Sequence, residues 1–353
     1  MIFRQLYDAA SSTYTYVLGC TKSGEAVIID PVFEQFTRDT ALLQELGLRL
    51  KYVFDTHVHA DHVTAAWRLK QATGARIVVS VGCNVTEADE ALNDGDVITF
   101  GSCALEARAT PGHTAGCMTY MTREQDMAFT GDCLLIRGAG RTDFQGGDVH
   151  AMWQSIREKI FSLPDTCLIY PGHDYNGRTV STVAEEKRFN PRIGGDAREE
   201  DFAGYMRNLS LPHPKLLDIA VPANLHAGKP TFDATVPEPA WAPIVTTFGG
   251  IPEIETDWVA RHIKDITLLD VRTTKEFTGD LGHVSSAILI PLDELRNRLK
   301  EVPRDKPVVT LCQSGRRSAM ALQILKAGGV DKVANAQGGM LAWLKSGLPF
   351  VVR

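Results

Sequence analysis

The chain has 353 residues, 44% of them hydrophobic, which at roughly 100–200 residues per domain points to two domains with a core in each. A net charge of -6 argues against a broad nucleic-acid surface, which needs clustered Lys and Arg, but leaves room for small anionic substrates. Seven cysteines, an odd number without a CxxC pair, argue against a disulfide framework and for a reducing compartment. The opening residues lack a signal-peptide pattern, and no apolar run approaches the roughly 18 residues of a membrane span, so a cytoplasmic enzyme with no membrane partner is expected.

In chain order, "AVIIDPV", "KYVFDT", "RIVVS", "MAFTGDCLLI" and "TCLIYPGH" are short apolar runs ended by turn residues, as buried strands are. "TRDTALLQELGL" and "HVTAAWRLKQATG" read as helices between them, the second closed by Gly74, and "CALEARATPG" with "CMTYMTRE" as an antiparallel pair. The mixture predicts a layered α/β fold over residues 1–230. Residues 231–250 are Pro-rich and aperiodic, and are expected to be a semi-rigid linker. Residues 251–353 again alternate, with strands "ITLLDVR", "AILIPL", "PVVTLCQSG" and "KVANAQGG". The helices between them are "TDWVARHI", "LDELRNRLKEV", "SAMALQILKAGG" and "MLAWLKSG". This spacing predicts a small, mostly parallel sheet.

The stretch "THVHADH" packs His57, His59, Asp61 and His62 into one turn after a strand. His113, Asp132 and His173 follow three other predicted strands in the same way. One histidine after a strand is usually only a turn residue. Several histidines and acids gathered at successive strand ends have little structural purpose without a divalent metal, for which imidazole and carboxylate are the natural ligands.

These seven residues resemble the motif set of the metallo-β-lactamase superfamily, which implies an αββα sandwich with metal at one edge. Many members hold two metals and hydrolyse their substrates with an activated water. "GDCLLIRGAGRTDFQGGD", "YPGHDYNGRTVSTVAEEKRFNP" and "LSLPHPKLLDIAVPAN" resemble the persulfide dioxygenase branch. That resemblance implies one Fe(II) per chain held by His57, His113 and Asp132, with His59, Asp61, His62 and His173 as an outer shell. It further implies O2 and glutathione persulfide as substrates, with glutathione and sulfite as products. Arg141 and Arg178 are expected to pair the carboxylates of glutathione, and Tyr175 to donate near the terminal sulfur. The six cysteines of this half are assigned no chemistry. The alternative is a dinuclear zinc thioester hydrolase of glyoxalase II type with an appended second domain.

In "VVTLCQSGRRSAMA", Cys312 sits between a strand and a helix N-terminus, where backbone N–H groups and Arg316 and Arg317 favour a thiolate. "LLDVRTTKEF", "GHVSSA", "CQSGRRS" and "GGMLAW" resemble a rhodanese domain. The resemblance implies that Cys312 carries sulfane sulfur as a persulfide, exchanging it between thiosulfate and glutathione. Gln313, Ser314, Gly315, Arg316 and Arg317 would cradle the anion, and Asp270, Arg272 and Glu276 would brace the loop. Four residues separate Cys312 from Arg317, one fewer than in the Cys-x5-Arg phosphatases, and the smaller loop suits sulfur better than phosphate. A homodimer remains an option for assembly.

Overall fold

The computed structural model describes residues 1–209, 211–212, 214–230 and 241–352. The chain separates into two compact units, Met1–Ala234 and Thr235–Arg353. No helix among the described residues is long and apolar enough to cross a membrane.

The first unit is built on two six-stranded sheets. One holds β1 (Ile2–Asp8), β2 (Thr13–Gly19), β3 (Glu25–Ile29), β4 (Arg49–Phe54), β5 (Arg76–Ser80) and β6 (Glu90–Leu92), in that order. The other is made from β7 (Val97–Phe100), β8 (Cys103–Ala109), β9 (Met118–Thr122), β10 (Met127–Gly131), β13 (Leu168–Pro171) and β14 (Ser181–Thr182). Its order is β14-β13-β10-β9-β8-β7, and a small hairpin of β11 (Leu134–Leu135) and β12 (Gly138–Ala139) follows β10.

Period-two alternation decides the layers. On β2, Tyr14, Tyr16 and Leu18 face the second sheet, whereas Val17 joins Ala26, Ile28, Val53 and Ile77 under helices Phe36–Glu45 and Ala66–Thr73. On the second sheet, Tyr120, Phe129 and Tyr170 face inward, while Met121, Ala128 and Ile169 pack with Met152, Ile156 and Phe202 from the helices on the outside. Both sheets are therefore covered on both faces, giving the expected αββα sandwich. Each Leu, Ile or Phe so enclosed contributes roughly 1.5–3 kcal/mol.

Directions place the functional edge. β3, β4 and β5 run parallel, so Asp30, the Thr56–His62 loop and the end of β5 share an edge. β8 and β10 are each antiparallel to β9, and β10 is parallel to β13, so the residues following all three emerge at one edge of the second sheet. The backbone N–H of Met118 donates to Thr56 O at 2.8 Å and joins the two edges.

The second unit has one six-stranded sheet in the order β15-β16-β20-β19-β17-β18. Its strands are β15 (Val245–Thr246), β16 (Pro252–Ile254), β17 (Thr267–Asp270), β18 (Ile288–Leu289), β19 (Val308–Leu311) and β20 (Val333–Ala336). All neighbours are parallel except β15 with β16. Val309 and Leu311 of β19 face one core and Val308 the other, so the strand that leads to Cys312 is buried on both sides.

Two local readings differ from the structure. The helix expected over "LDELRNRLKEV" shrinks to Leu292–Leu295 and a tight turn at Leu299–Glu301, because Pro303 forces Val302 into extended backbone. Of the expected linker, residues 231–240 lie outside the described residues. Beyond them, Val245–Thr246 forms β15 and Ala242 is buried in the core of the second unit.

Candidate metal centre and cysteine loop

Each ligand-bearing side chain at the edge of the first unit is fixed through the atom that does not face the site. Asp30, just past β3, accepts from Thr56 N at 2.7 Å and from Thr56 Oγ1 at 2.9 Å. The hydroxyl oxygen of Thr56 thus accepts from His57 Nδ1–H at 2.9 Å, leaving Nε2 for the site. His113 Nδ1–H donates to Arg141 O at 2.7 Å, again leaving Nε2. Asp132 Oδ1 accepts from His173 Nδ1–H at 2.7 Å, leaving Oδ2 at 3.7 Å from His113 Nε2. The ligand atoms of His57, His113 and Asp132 all lie within 4.8 Å of one another.

Electrostatics prepares the same three groups. Burial, helped by the neighbouring His59 and His113, pushes His57 well below the usual histidine range, and burial also lowers His113. Both are neutral imidazoles, the form that binds metal. Burial opposes ionisation of Asp132, but His173 beside it prevails and holds the carboxyl below its ordinary range. Two neutral histidines and one carboxylate are the donor set of a 2-His-1-carboxylate iron site.

The outer residues are arranged differently. His173 Nε2–H donates to Asp61 Oδ2 at 2.9 Å, so both nitrogens of this ring are taken by carboxylates. Burial disfavours its charge, but Asp132 and Asp61 outweigh burial and raise His173 well above the histidine range. His62 Nδ1 lies 3.0 Å from Asp61 Oδ2, and its Nε2 is buried without a partner. His59 Nε2 lies 3.1 Å from Asp30 Oδ1, yet neither ring nitrogen of His59 has an aligned hydrogen bond. By distance alone His59, Asp61 and His62 form a second ligand group, as do Asp30, Asp55 and His59.

Asn224, at the end of helix Leu217–Asn224, was not singled out by the sequence. Its Oδ1 accepts from Thr64 N at 2.9 Å, and its Nδ2 donates to His59 O at 2.9 Å and His62 O at 2.8 Å. One buried amide therefore fixes the backbone of the histidine loop.

The residues expected to meet glutathione are already paired. Arg141 donates to both oxygens of Asp143 at 2.6 Å, to Pro212 O at 2.7 Å and to Leu211 O at 3.1 Å. Arg178 pairs with Asp174 at 2.9 Å, and its side chain is 41% exposed. Tyr175 is 70% exposed and its ring stacks on His173 at 6.1 Å.

In the second unit Cys312 is buried at the end of β19, and Ser318 Oγ donates to its sulfur at 3.2 Å. Burial opposes the thiolate, but the Ser318 hydroxyl and the N–H groups of Ser318, Ser314 and Gly315 prevail and lower the thiol below its ordinary value. The two arginines separate in role. Arg317 is held by Glu276 in a two-pronged pair at 2.6 and 2.8 Å, whereas Arg316 is exposed. Gln313 and Ser314 are exposed at the mouth, and Gly315 is buried beneath them. Glu276 is itself held by the Thr273 hydroxyl, and the fully buried Arg272 ties Asp270 to the carbonyls of Glu276 and Gly282.

Comparison with known proteins places both halves. Residues 9–173 match the metallo-beta-lactamase superfamily, and residues 255–346 match the rhodanese-like domain family. Persulfide dioxygenase ETHE1 of Mus musculus is 51% identical over 232 residues, 65% of this chain and 90% of that protein. The Homo sapiens ETHE1 protein matches with the same identity and coverage. The crystal structure of ETHE1 from Myxococcus xanthus superposes with a TM-score of 0.63 at 50% identity, covering 65% of this chain and all of that one (100%). The chain belongs to the persulfide dioxygenase family of the metallo-beta-lactamase superfamily, with a rhodanese-like domain on the same polypeptide.

Proposed function

We propose that the first unit oxidises glutathione persulfide with O2 at one Fe(II) held by His57, His113 and Asp132, giving sulfite and glutathione. We assign this activity to residues 1–230 and sulfur transfer through Cys312 to the second unit, in which Ala242 and β15 precede residues 251–353. The reaction consumes one persulfide, one O2 and one water for each sulfite and glutathione. Iron held by His57, His113 and Asp132 would offer open coordination to O2 and the terminal sulfur and would relay to O2 the four electrons that this sulfur loses.

The observation that carries the single-metal reading is the pairing of His173. Its Nδ1 faces Asp132 and its Nε2 faces Asp61, so the ring ties two carboxylates together and does not join His59, Asp61 and His62 in their group of converging ligand atoms. His173 instead orients Asp132, as an outer-shell group does. Thr56 and the Arg141 carbonyl do the same for His57 and His113. Binding a glutathione carboxylate through Arg141 or Arg178 requires exchange with Asp143 or Asp174. Arg178, half-exposed and held by one acid, exchanges at lower cost than Arg141, which also donates to two carbonyls. Tyr175, exposed and stacked on His173, is assigned to donate to the terminal sulfur.

At Cys312 the thiolate attacks the outer sulfur of thiosulfate, the S–S bond breaks and sulfite leaves. Glutathione then takes the sulfur from the Cys312 persulfide as glutathione persulfide and restores the thiol. The exposed guanidinium of Arg316 is placed to meet the incoming anion, while Arg317, tied to Glu276, fixes the loop.

The competing reading is a dinuclear zinc hydrolase, and what favours it is the spacing of His59, Asp61 and His62. Metal analysis with oxygen uptake separates the two. Near one iron per chain and O2 consumption with glutathione persulfide are expected. Two zincs per chain with thioester hydrolysis and no O2 uptake would overturn the dioxygenase reading.

A further inference from the structure

Two hairpin turns from opposite sheets meet at the end of the first unit far from the metal centre. One turn, residues 20–24, joins β2 to β3, and the other, Gly101 and Ser102, joins β7 to β8. β2 starts at Thr13, which touches His173, and β8 leads toward His113. Each strand is seven residues long, so about 20 Å separates these turns from the ligands.

Where the turns dock, hydrogen-bond donors converge on the sulfur of Cys20. Ser102 N–H donates to Cys20 Sγ at 3.4 Å, and Ser102 Oγ lies 3.4 Å from the same sulfur. The hydroxyl and backbone N–H of Ser23 reach it from the other side. The approach depends on Gly101. A Cβ there would lie 2.6 Å from Cys20 Sγ and 2.2 Å from Ser23 Oγ, and its φ of +60 favours glycine. The next residue but one, Cys103, is half-buried and packs against the core cluster that holds Cys20, which is itself buried. Backbone N–H groups cannot reverse their polarity, so this cradle selects an anionic sulfur.

The cysteines divide accordingly. The Ser102 hydroxyl foremost, then the Ser23 hydroxyl and both N–H groups, bring the Cys20 thiol down to about 5. Burial pushes Cys103 up, and it likewise pushes up Cys83, Cys117, Cys133 and Cys167. One thiolate beside one thiol is the arrangement of an attacking and a resolving cysteine.

We propose that Cys20 and Cys103 are a reversible redox pair that responds to small hydroperoxides, with Cys20 attacking and Cys103 resolving. The Cys20 thiolate attacks one oxygen of hydrogen peroxide, the O–O bond breaks, and the departing oxygen leaves as water after taking a proton. Cys103 then attacks the sulfur of the Cys20 sulfenic acid, the S–O bond breaks, and a second water leaves. Two thiols lose two electrons and two protons, and one peroxide becomes two waters. The disulfide ties the two sheets together at the end away from the metal. This proposal is independent of the reaction assigned to the metal centre.

The test treats the reduced full-length protein with hydrogen peroxide, alkylates the remaining thiols and maps peptides by mass spectrometry. A Cys20–Cys103 cross-link is expected before any other pair in the first unit oxidises, and dithiothreitol should reverse it. In Cys103→Ser, a dimedone-reactive sulfenic acid should accumulate on Cys20. Gly101→Ala, which separates the turns while keeping both cysteines, should slow cross-linking by about tenfold or more without changing the oxidation of Cys312. Alkylation of Cys20 and Cys103 as complete as that of untreated protein, at peroxide levels that oxidise Cys312, would overturn the pair. So would an unlabelled Cys20 in Cys103→Ser, or an unchanged rate in Gly101→Ala.

Discussion

The candidate metal centre draws its three ligand atoms from the loops after β4, β8 and β10, whereas the sulfur of Cys312 takes its stabilising donors from within residues 314–318. The first arrangement is held by Thr56, the Arg141 carbonyl and His173, and the histidines around it are not all satisfied by protein. Both nitrogens of His59 and Nε2 of His62 are buried without aligned partners, and each orphaned group costs about 1–3 kcal/mol. The second needs no added charge, because backbone N–H groups and the Ser318 hydroxyl already face the sulfur. A site gathered from three distant loops therefore depends on partners elsewhere in the chain to aim its ligands, while a nucleophile loop carries its own stabilisation from folding onward.

The sharpest way to break this comparison is to remove one member of each site and assay both reactions. His113→Ala takes away one of three ligands, and iron content and O2 uptake should fall by about 100-fold or more, with sulfur transfer from thiosulfate to glutathione kept. Cys312→Ser should abolish sulfur transfer and leave O2 uptake at the parent rate. Sulfur transfer surviving in Cys312→Ser would move the nucleophile elsewhere.

The next effects concern the parts that support each site. Gly339 has φ +60, and a Cβ there would lie 2.3 Å from Cys312 O, so the "GGMLAW" turn presses against the back of the loop. Gly339→Ala should cost about 2–3 kcal/mol in the second unit and lower sulfur transfer, seen as an earlier thermal transition, while O2 uptake holds. Asn224→Ala leaves Thr64 N–H without its acceptor and the His59 and His62 carbonyls without their donor. Metal affinity should fall roughly 10–100-fold, measured by competition with a chelator, with little change in the unfolding of the second unit. An unchanged affinity would mean that the loop holds its shape without the amide.

What could be read in the sequence followed the same division. The cysteine loop was legible because its chemistry is contiguous, and a strand, a thiol, a glycine turn and two arginines imply a helix-terminus anion cradle. Seven candidate ligands stood out because buried strands end abruptly in His or Asp, but the choice of His57, His113 and Asp132 among them came from the family resemblance and not from the pattern. Asn224 was hidden because its partners are backbone groups of residues more than 150 positions earlier, and an amide after an apolar helix has no pattern of its own. β2 went unread because its Thr and Tyr side chains are buried on both faces without looking like an apolar run, and β1 because it is polar in the middle and mostly half-exposed. The separate roles of Arg316 and Arg317 depend on Glu276, which sequence places near the loop but cannot pair with either one.

The smallest expected effect tests that pairing by pH. Arg317 foremost, against the opposing pull of burial, with Thr273 adding its N–H and hydroxyl, brings the Glu276 carboxyl down from 4.5 to about 2. A carboxyl with a depressed folded value stabilises the fold above its unfolded value, and that contribution is lost as pH falls from about 4.5 through about 2. Both side chains are about a third exposed, 32% for Glu276 and 33% for Arg317, so solvent screening limits the contribution to about 1 kcal/mol. Glu276→Gln should therefore lower the stability of the second unit by about that amount at pH 7 and by almost nothing near pH 2. It should also free the Arg317 guanidinium, so the thiosulfate KM should change more than kcat. A stability loss that persists undiminished at low pH would mean that Glu276 acts by packing, and Arg317 would then be as mobile as Arg316.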